Sequence, residues 1–263
     1  MRLIPRIRDR DPDPDGRPDR SMSIIEHLEE LRHRIVVSLY AIAVGAVVGW
    51  FLYQPALNAL QRPFCDFVHS LPANKRPPTG CQFAFFGAIE PAVLKLKVVV
   101  FIGLVVALPV VLYEFWRFVV PGMTPRERRF AIPFVASSIL LFAAGGAMAY
   151  VTLPKALQFL LGFGGRSLVP ILDASRFIGF VLLVIAAFGL SFEFPLALIF
   201  LSWVGVLSSE KLRRSRRFAI LFISIFAAVI TPSQDPYTML GMMIPMVIFY
   251  EIAILVVRFG MRK

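Results

Sequence analysis

The chain has 263 residues, of which 57% are hydrophobic and only 17% are charged. Water-soluble domains have an apolar share of about 45–50% with glycine included, so this composition excludes an ordinary soluble domain and indicates a membrane protein. The net charge of +11 would suggest a nucleic acid partner for a soluble chain. In a membrane protein it indicates basic loops that face the cytoplasm, so we expect membrane lipid and no nucleic acid as a partner.

The N-terminal segment 1–21 is rich in Arg, Asp and Pro and has almost no apolar residues. Such a segment cannot bury enough surface to offset the entropy cost of ordering, so we predict a disordered cytoplasmic tail. The first apolar run begins only at Ile35. Because a cleaved signal peptide has its apolar region near the start, we expect insertion without N-terminal processing.

The segment from Ser23 to Ile35 predicts an amphipathic helix that leads into the first membrane span. Ser23 and Glu26 fit an N-terminal capping box, and apolar residues recur at spacings of three and four. The polar face carries Glu26, Glu29 and Glu30 close together. This face is either an ordinary solvated surface or an acidic receptor for a basic ligand, and composition leaves both open.

Six apolar runs follow, and most are long enough to cross a hydrocarbon core of about 30 Å. In chain order they are 35–53, 94–113, 131–151, 177–204, 218–230 and 237–257. Most of the 28 Lys and Arg residues fall before the first run, between the second and third, between the fourth and fifth, and after the sixth. The positive-inside rule places these segments in the cytoplasm.

The sequence therefore predicts an all-α integral membrane protein with six transmembrane helices and both termini in the cytoplasm. We divide the chain into the tail 1–21, a membrane domain 22–259 and a short cytoplasmic C-terminus 260–263. The fifth run is short, because about 13 residues at ~1.5 Å each cover only about 20 Å. It is either a short true span or a buried or re-entrant segment, and the sixth run is the other candidate for a short span.

Two acidic residues lie within or beside the later runs. Glu193 is deep in the fourth run, where an ionised side chain costs at least ~2.5 kcal/mol, so it is a functional candidate by default. Pro195 leaves the carbonyl of Ser191 without its helical partner, which favours a polar indentation around Glu193. A static buried pair is the alternative. Asp235 directly precedes Pro236, an arrangement typical of a helix N-cap with proline at the first helical position.

Enzyme motifs are missing from the sequence. It contains no G-x-x-x-x-G-K-[ST], H-E-x-x-H or G-x-S-x-G pattern. Its histidines, His27, His33 and His69, lie outside the apolar runs, so a Ser–His pair inside the membrane is not expected. We predict a protein that is not an enzyme and needs no metal or cofactor.

The two cysteines, Cys65 and Cys81, fall in the predicted first outer connection. In an oxidising compartment they would form a disulfide worth about 3 kcal/mol in the chain-entropy model. Two unpaired thiols are the alternative.

One segment carries a family signature. His27–Arg34 reads H-L-E-E-L-R-H-R and resembles the H-L-x-E-L-R-x-R signature of the TatC family, the polytopic subunits of twin-arginine protein translocases. Further blocks resemble family motifs in the family's order: Leu112–Gly122, Glu127–Arg129, Phe188–Pro195, Thr231–Pro236 and Ile244–Pro245. Together the blocks cover the chain from about Ser23 to Phe259. The charged tail and the paired cysteines are not general family features.

The resemblance implies a receptor in a bacterial-type cytoplasmic membrane that binds the twin-arginine signal peptides of folded cargo. It also implies self-association, assembly with single-span subunits of the TatA and TatB type, and transport driven by the proton-motive force. Signal-peptide binding would fall to Glu30, Glu127, Arg32 and Phe118, and an intramembrane polar role to Glu193. The loop positions tied to function would be Pro63, Pro121 and Asp235.

Two other functions remain alternatives at this point. A proton-coupled small-solute transporter would use Glu193 as its proton site, but such folds often repeat their halves, and the first and last three runs show no convincing self-similarity. A purely structural scaffold would need no exposed acidic patch.

Overall fold

A computed structural model of the chain describes residues 24–72, 76–77, 80–119, 128–162, 172–231 and 235–260. These residues form eight helices. They are α1 (Ile24–Ser70), α2 (Glu90–Val119), α3 (Arg128–Gly162), α4 (Ala174–Ser191), α5 (Phe194–Trp203), α6 (Ser209–Arg214), α7 (Arg216–Ile230) and α8 (Pro236–Gly260). The one β feature in the described ranges is an isolated parallel bridge between Ala84 and Asp173. The all-helical class is therefore confirmed, and the predicted tail 1–21 lies outside the described residues.

Each of the six apolar runs falls within helical structure. Runs one to three lie in α1, α2 and α3, the fourth lies in α4 and α5, and the fifth and sixth lie in α7 and α8. Within the described ranges, five helical segments are long and apolar enough to cross a membrane, with α4 and α5 together forming one of them. Helix α7 has 15 residues and is not among the five. The predicted shortness of the fifth run is thus confirmed. The sixth run lies in α8, which has 25 residues and is among the five, so the alternative of a short sixth span was wrong.

The first helix is longer than the first apolar run. It continues for several turns beyond Tyr53 and ends at Ser70. Apolar residues at helical spacing in this extension are buried in the core: Leu57, Leu60, Phe64, Phe67 and Val68. Pro63 therefore lies buried inside α1, and its assignment to a loop was wrong. Burial of the flanking apolar face stabilises the helix despite the missing backbone donor.

The main core lies where α1, α2, α3, α4, α7 and α8 meet. Its fully buried side chains include Phe64, Val98, Leu153, Ile178, Phe188, Ile223 and Met246. A second, smaller cluster joins α2 to α5 through Trp116, Leu196 and Phe200.

Helices α1 and α2 run antiparallel and approach closely at two glycines. A Cβ atom added to Gly45 would lie 2.5 Å from the carbonyl oxygen of Gly103, and one added to Gly103 would lie 2.7 Å from the backbone nitrogen of Ala46. Small residues at such positions let membrane helices pack backbone against backbone. The glycines therefore fix how closely α1 and α2 can approach.

We expect Gly103→Ala to destabilise the protein by about 1–3 kcal/mol, because the added methyl group meets backbone atoms that can move only if the two helices separate. Thermal unfolding in detergent would measure the loss. Gly146→Ala is the matched control, since its Cβ would meet only the Ile185 side chain, at 3.4 Å. Equal unfolding temperatures for the two variants would contradict this role of Gly103.

Candidate functional site

A charged cluster joins the N-terminal part of α1 to the C-terminal part of α2. Arg34 donates from Nη1 to Glu114 Oε2 at 2.7 Å and from Nε to Glu30 Oε1 at 3.2 Å. The Arg34 Nη2 group donates to the same Glu30 oxygen. Glu30 and Arg34 are neighbours on α1 because they are four residues apart, whereas Glu114 reaches across from α2. One cation therefore lies between two carboxylates.

The cluster is largely withdrawn from solvent. The side chains of Arg34, Glu114 and Glu30 are 11%, 12% and 22% exposed, respectively. The second oxygen of Glu30, Oε2, is buried and accepts no hydrogen bond from the described residues. A buried acceptor without a donor is energetically costly, so a ligand that brings an N–H group to this oxygen would be favoured.

An aromatic pair lies one helical turn from the cluster. The ring of Phe118 stacks on that of His27 with centroids 4.6 Å apart and an interplanar angle of 12°. His27 precedes Glu30 by three residues on α1, and Phe118 follows Glu114 by four on α2, so the stack and the ion pairs lie at the same end of the helix pair. The structure thus brings two of the predicted residues, Glu30 and Phe118, to one region.

The other residues predicted to bind the signal peptide are placed differently. Arg32 is exposed on α1, and Arg34 takes the position beside Glu30. Glu127 and Pro121 lie outside the described residues.

The contributions of Arg34 and Glu114 were missed by sequence reasoning. The sequence does indicate both as candidates, because each is a charged residue at the end of an apolar run: Arg34 directly precedes the first run, and Glu114 directly follows the second.

Glu193 lies at a break in the fourth predicted span. Helix α4 ends at Ser191 and α5 begins at Phe194, with Pro195 in the first turn of α5. The hydroxyl of Ser138 donates to Glu193 Oε2 at 2.6 Å. The other carboxylate oxygen, Oε1, is buried and accepts no hydrogen bond from the described part of the chain.

Ser138 extends this contact into a short chain of hydrogen bonds. It is fully buried, and Trp116 Nε1 donates to its hydroxyl oxygen at 3.1 Å. The described partner of Glu193 is therefore a neutral hydroxyl and not a cation. The ion pairs in the described ranges do not include Glu193, so they give no support to the static-pair alternative.

Asp235 caps α8. Its Oδ1 accepts hydrogen bonds from the backbone N–H groups of Tyr237 and Thr238, both at 2.9 Å, and Oδ2 accepts one from the Thr238 hydroxyl at 2.6 Å. Helix α8 begins at Pro236, so the interpretation of Asp235 as an N-cap with proline at the first helical position is confirmed.

The two cysteines are near each other, one in α1 and one in the connection to α2. Both are free, partly buried thiols, and Cys81 Sγ lies 3.8 Å from His69 Nε2. The disulfide between Cys65 and Cys81 stays a prediction.

Ser138→Ala should destabilise the protein by about 1–3 kcal/mol, because it leaves both the Trp116 N–H group and the Glu193 carboxylate without their partner. Chemical or thermal unfolding in detergent would measure this. Ser137→Ala is the matched control, since the Ser137 hydroxyl only donates to the Pro133 carbonyl of its own helix. If both alanine variants unfolded alike, the bridging role of Ser138 would be refuted.

Comparison with known proteins identifies relatives along most of the chain. A family model described as Sec-independent protein translocase protein (TatC) matches residues 26–245. A protein of this description from Frankia casuarinae is 43% identical over 90% of this chain and 66% of its own length. One from Corynebacterium kroppenstedtii is 35% identical over 94% of this chain and 64% of its own length. The chain thus spans about two thirds of the length of these two relatives.

A solved structure agrees with the fold. The crystal structure of a twin arginine translocase receptor, TatC, superposes with a TM-score of 0.70 and 33% identity over 90% of this chain and all of that one. The fold and the site define a polytopic α-helical membrane protein that withdraws carboxylates from solvent in three places, at Glu30 and Glu114, at Glu193 and at Asp235. The chain belongs to the TatC family of Sec-independent protein translocase proteins, and it is a multi-pass protein of the cytoplasmic membrane. This membership gives no support to the small-solute transporter alternative.

Proposed function

We propose that the chain is the non-enzymatic receptor subunit of a twin-arginine translocase and binds the twin-arginine signal peptides of folded cargo proteins. The observation that carries the proposal is the Glu30 carboxylate, whose Oε2 atom is buried and lacks a donor among the described residues. The solved relative is itself described as a twin arginine translocase receptor.

The chemistry of the cluster suits an arginine ligand. A guanidinium offers parallel N–H donors that match a carboxylate, whereas the ammonium of lysine is a compact point charge. In this proposal Glu30 receives one arginine of the motif and Glu127 receives the other. The Phe118 ring, stacked on His27, provides an aromatic surface near Glu30, and the exposed Arg32 contacts the peptide from the neighbouring face.

Partners and energy source follow from the same proposal. Exposed apolar side chains cover much of α1 and α7, which suits contact with lipid, with single-span subunits of the TatA and TatB type and with further copies of the chain. Glu193 is the intramembrane polar group of a transport process driven by the proton-motive force. Pro63, Pro121 and Asp235 serve as positions tied to function.

We also propose that the chain crosses the membrane six times with both termini in the cytoplasm. Helix α7 is then the fifth span, and its 15 residues cover only about 22 Å at ~1.5 Å each. A span this short thins the bilayer around it. Buried Thr231, directly after α7, would then lie close to the outer headgroups.

Spin labels placed singly from Phe218 to Ile230 should therefore show a compressed immersion profile, with polar probes reaching both ends within about 22 Å. Labels along 132–162 of α3 give the full-thickness reference. A full-thickness profile for α7, or probe access at only one of its ends, would contradict a short span.

Binding should depend on both proposed glutamates. Glu30→Gln and Glu127→Gln should each weaken affinity for an Arg-Arg signal peptide about 10- to 100-fold, since a hydrogen bond to a charged group is worth about 1.5–3 kcal/mol. The unsubstituted protein should bind a Lys-Lys peptide more weakly than the Arg-Arg peptide. Titration in bilayer discs would measure these affinities.

Glu29→Gln is the matched control for these variants, because Glu29 is an exposed glutamate next to Glu30 on the same helix. It should change affinity little. Equal affinity for both peptides, or an equal loss of affinity from all three substitutions, would contradict the proposal and indicate that the acidic residues form an ordinary solvated helix face.

A further inference from the structure

We propose that Glu114 is a positioning residue of the signal-peptide site, acting through Arg34 to keep the Glu30 carboxylate available to an arginine ligand. This inference rests on the proposed function. It adds to that function a third carboxylate, one on a different helix from Glu30 and 80 residues away from Arg34 in sequence.

The charge of the cluster depends on Glu114. Glu30 and Arg34 alone form a neutral pair at a spacing of four residues, and a neutral pair offers little attraction to a cationic peptide. With Glu114 included, one guanidinium faces two carboxylates and the cluster carries one excess negative charge. Because the three side chains are mostly buried, this charge is screened much less by salt than it would be in an exposed pair.

The hydrogen-bond geometry supports the same conclusion. Arg34 directs both Nε and Nη2 to a single oxygen of Glu30, Oε1, while its Nη1 is bound to Glu114. The other oxygen, Oε2, is left without a described donor. A guanidinium released from Glu114 is free to adopt the two-oxygen, fork-like pairing that arginine and carboxylate favour, which would occupy Oε2.

The position of Glu114 is fixed by helix packing. The backbone contact between Gly45 and Gly103 and the stack of His27 on Phe118 hold α1 and α2 together on either side of the ion pairs. Glu114 is therefore positioned by α2 and not by the ligand. Arg34 acts as an internal arginine that an incoming arginine would otherwise have to displace from Glu30.

The test compares Glu114→Gln, Arg34→Gln and the double variant with the unsubstituted full chain in bilayer discs, using Arg-Arg and Lys-Lys signal peptides. Glu114→Gln should lower Arg-Arg affinity roughly 10-fold, because Arg34 then occupies both oxygens of Glu30. Adding Arg34→Gln should restore affinity, because the competing cation is gone. Arg34→Gln alone should bind at least as tightly as the unsubstituted protein.

Glu29→Gln is again the control, and thermal unfolding establishes that each variant is folded. If adding Arg34→Gln to Glu114→Gln restores Arg-Arg affinity, the proposed role is distinguished from a structural one. In a structural role, removing both partners would weaken binding further. Unchanged affinity in Glu114→Gln, a double variant no better than Glu114→Gln, or weaker binding by Arg34→Gln would each overturn the inference. Failure of the unsubstituted protein to prefer Arg-Arg would instead overturn the proposed function, and this inference with it.

Discussion

The close antiparallel packing of α1 against α2 is the constraint on which the rest of the site depends. Near the middle of this interface, Gly45 and Gly103 bring the two backbones into contact. Toward one end Arg34 binds Glu114, and toward the other the ammonium of Lys95 lies 3.6 Å from the ring centroid of Trp50. A change in the separation of the helices would alter all of these contacts at once. The position of the acidic cluster is therefore a property of the helix pair and not of one loop.

The Glu30–Glu114 cluster and Glu193 keep acidic groups away from water in two chemically different ways. Glu30 and Glu114 share a guanidinium, so part of their charge is compensated within the protein. Glu193 instead accepts a hydrogen bond from Ser138, a neutral donor that holds the carboxylate in place without compensating its charge. The first arrangement suits recognition of a cation, because the charge balance can be completed by a ligand. The second suits a polar group kept within an apolar segment, where an ionised carboxylate is costly.

Features set by local sequence could be predicted, and those set by packing could not. The helical runs, the short fifth run and the Asp235 cap depend on hydrophobic length and on neighbours within four residues. The extension of α1 through Pro63 depends on apolar contacts with other helices, and the loop position that the family resemblance implied for Pro63 was wrong. Family motifs pointed to Glu30 and Phe118. The pairs Arg34–Glu114 and Ser138–Glu193 join residues 80 and 55 positions apart, and no periodicity in the sequence encodes them.

The last turns of α2 connect the two acidic regions. Glu114 and Trp116 are two residues apart, which places their side chains about 200° apart around the helix axis. Glu114 can therefore bind Arg34 of α1 while Trp116 packs against Phe134 and Phe200 and donates to Ser138. Because Ser138 in turn holds Glu193, a rotation or tilt of this end of α2 would act on both carboxylate sites together. The region where a signal peptide is proposed to bind and the intramembrane carboxylate thus share one structural element.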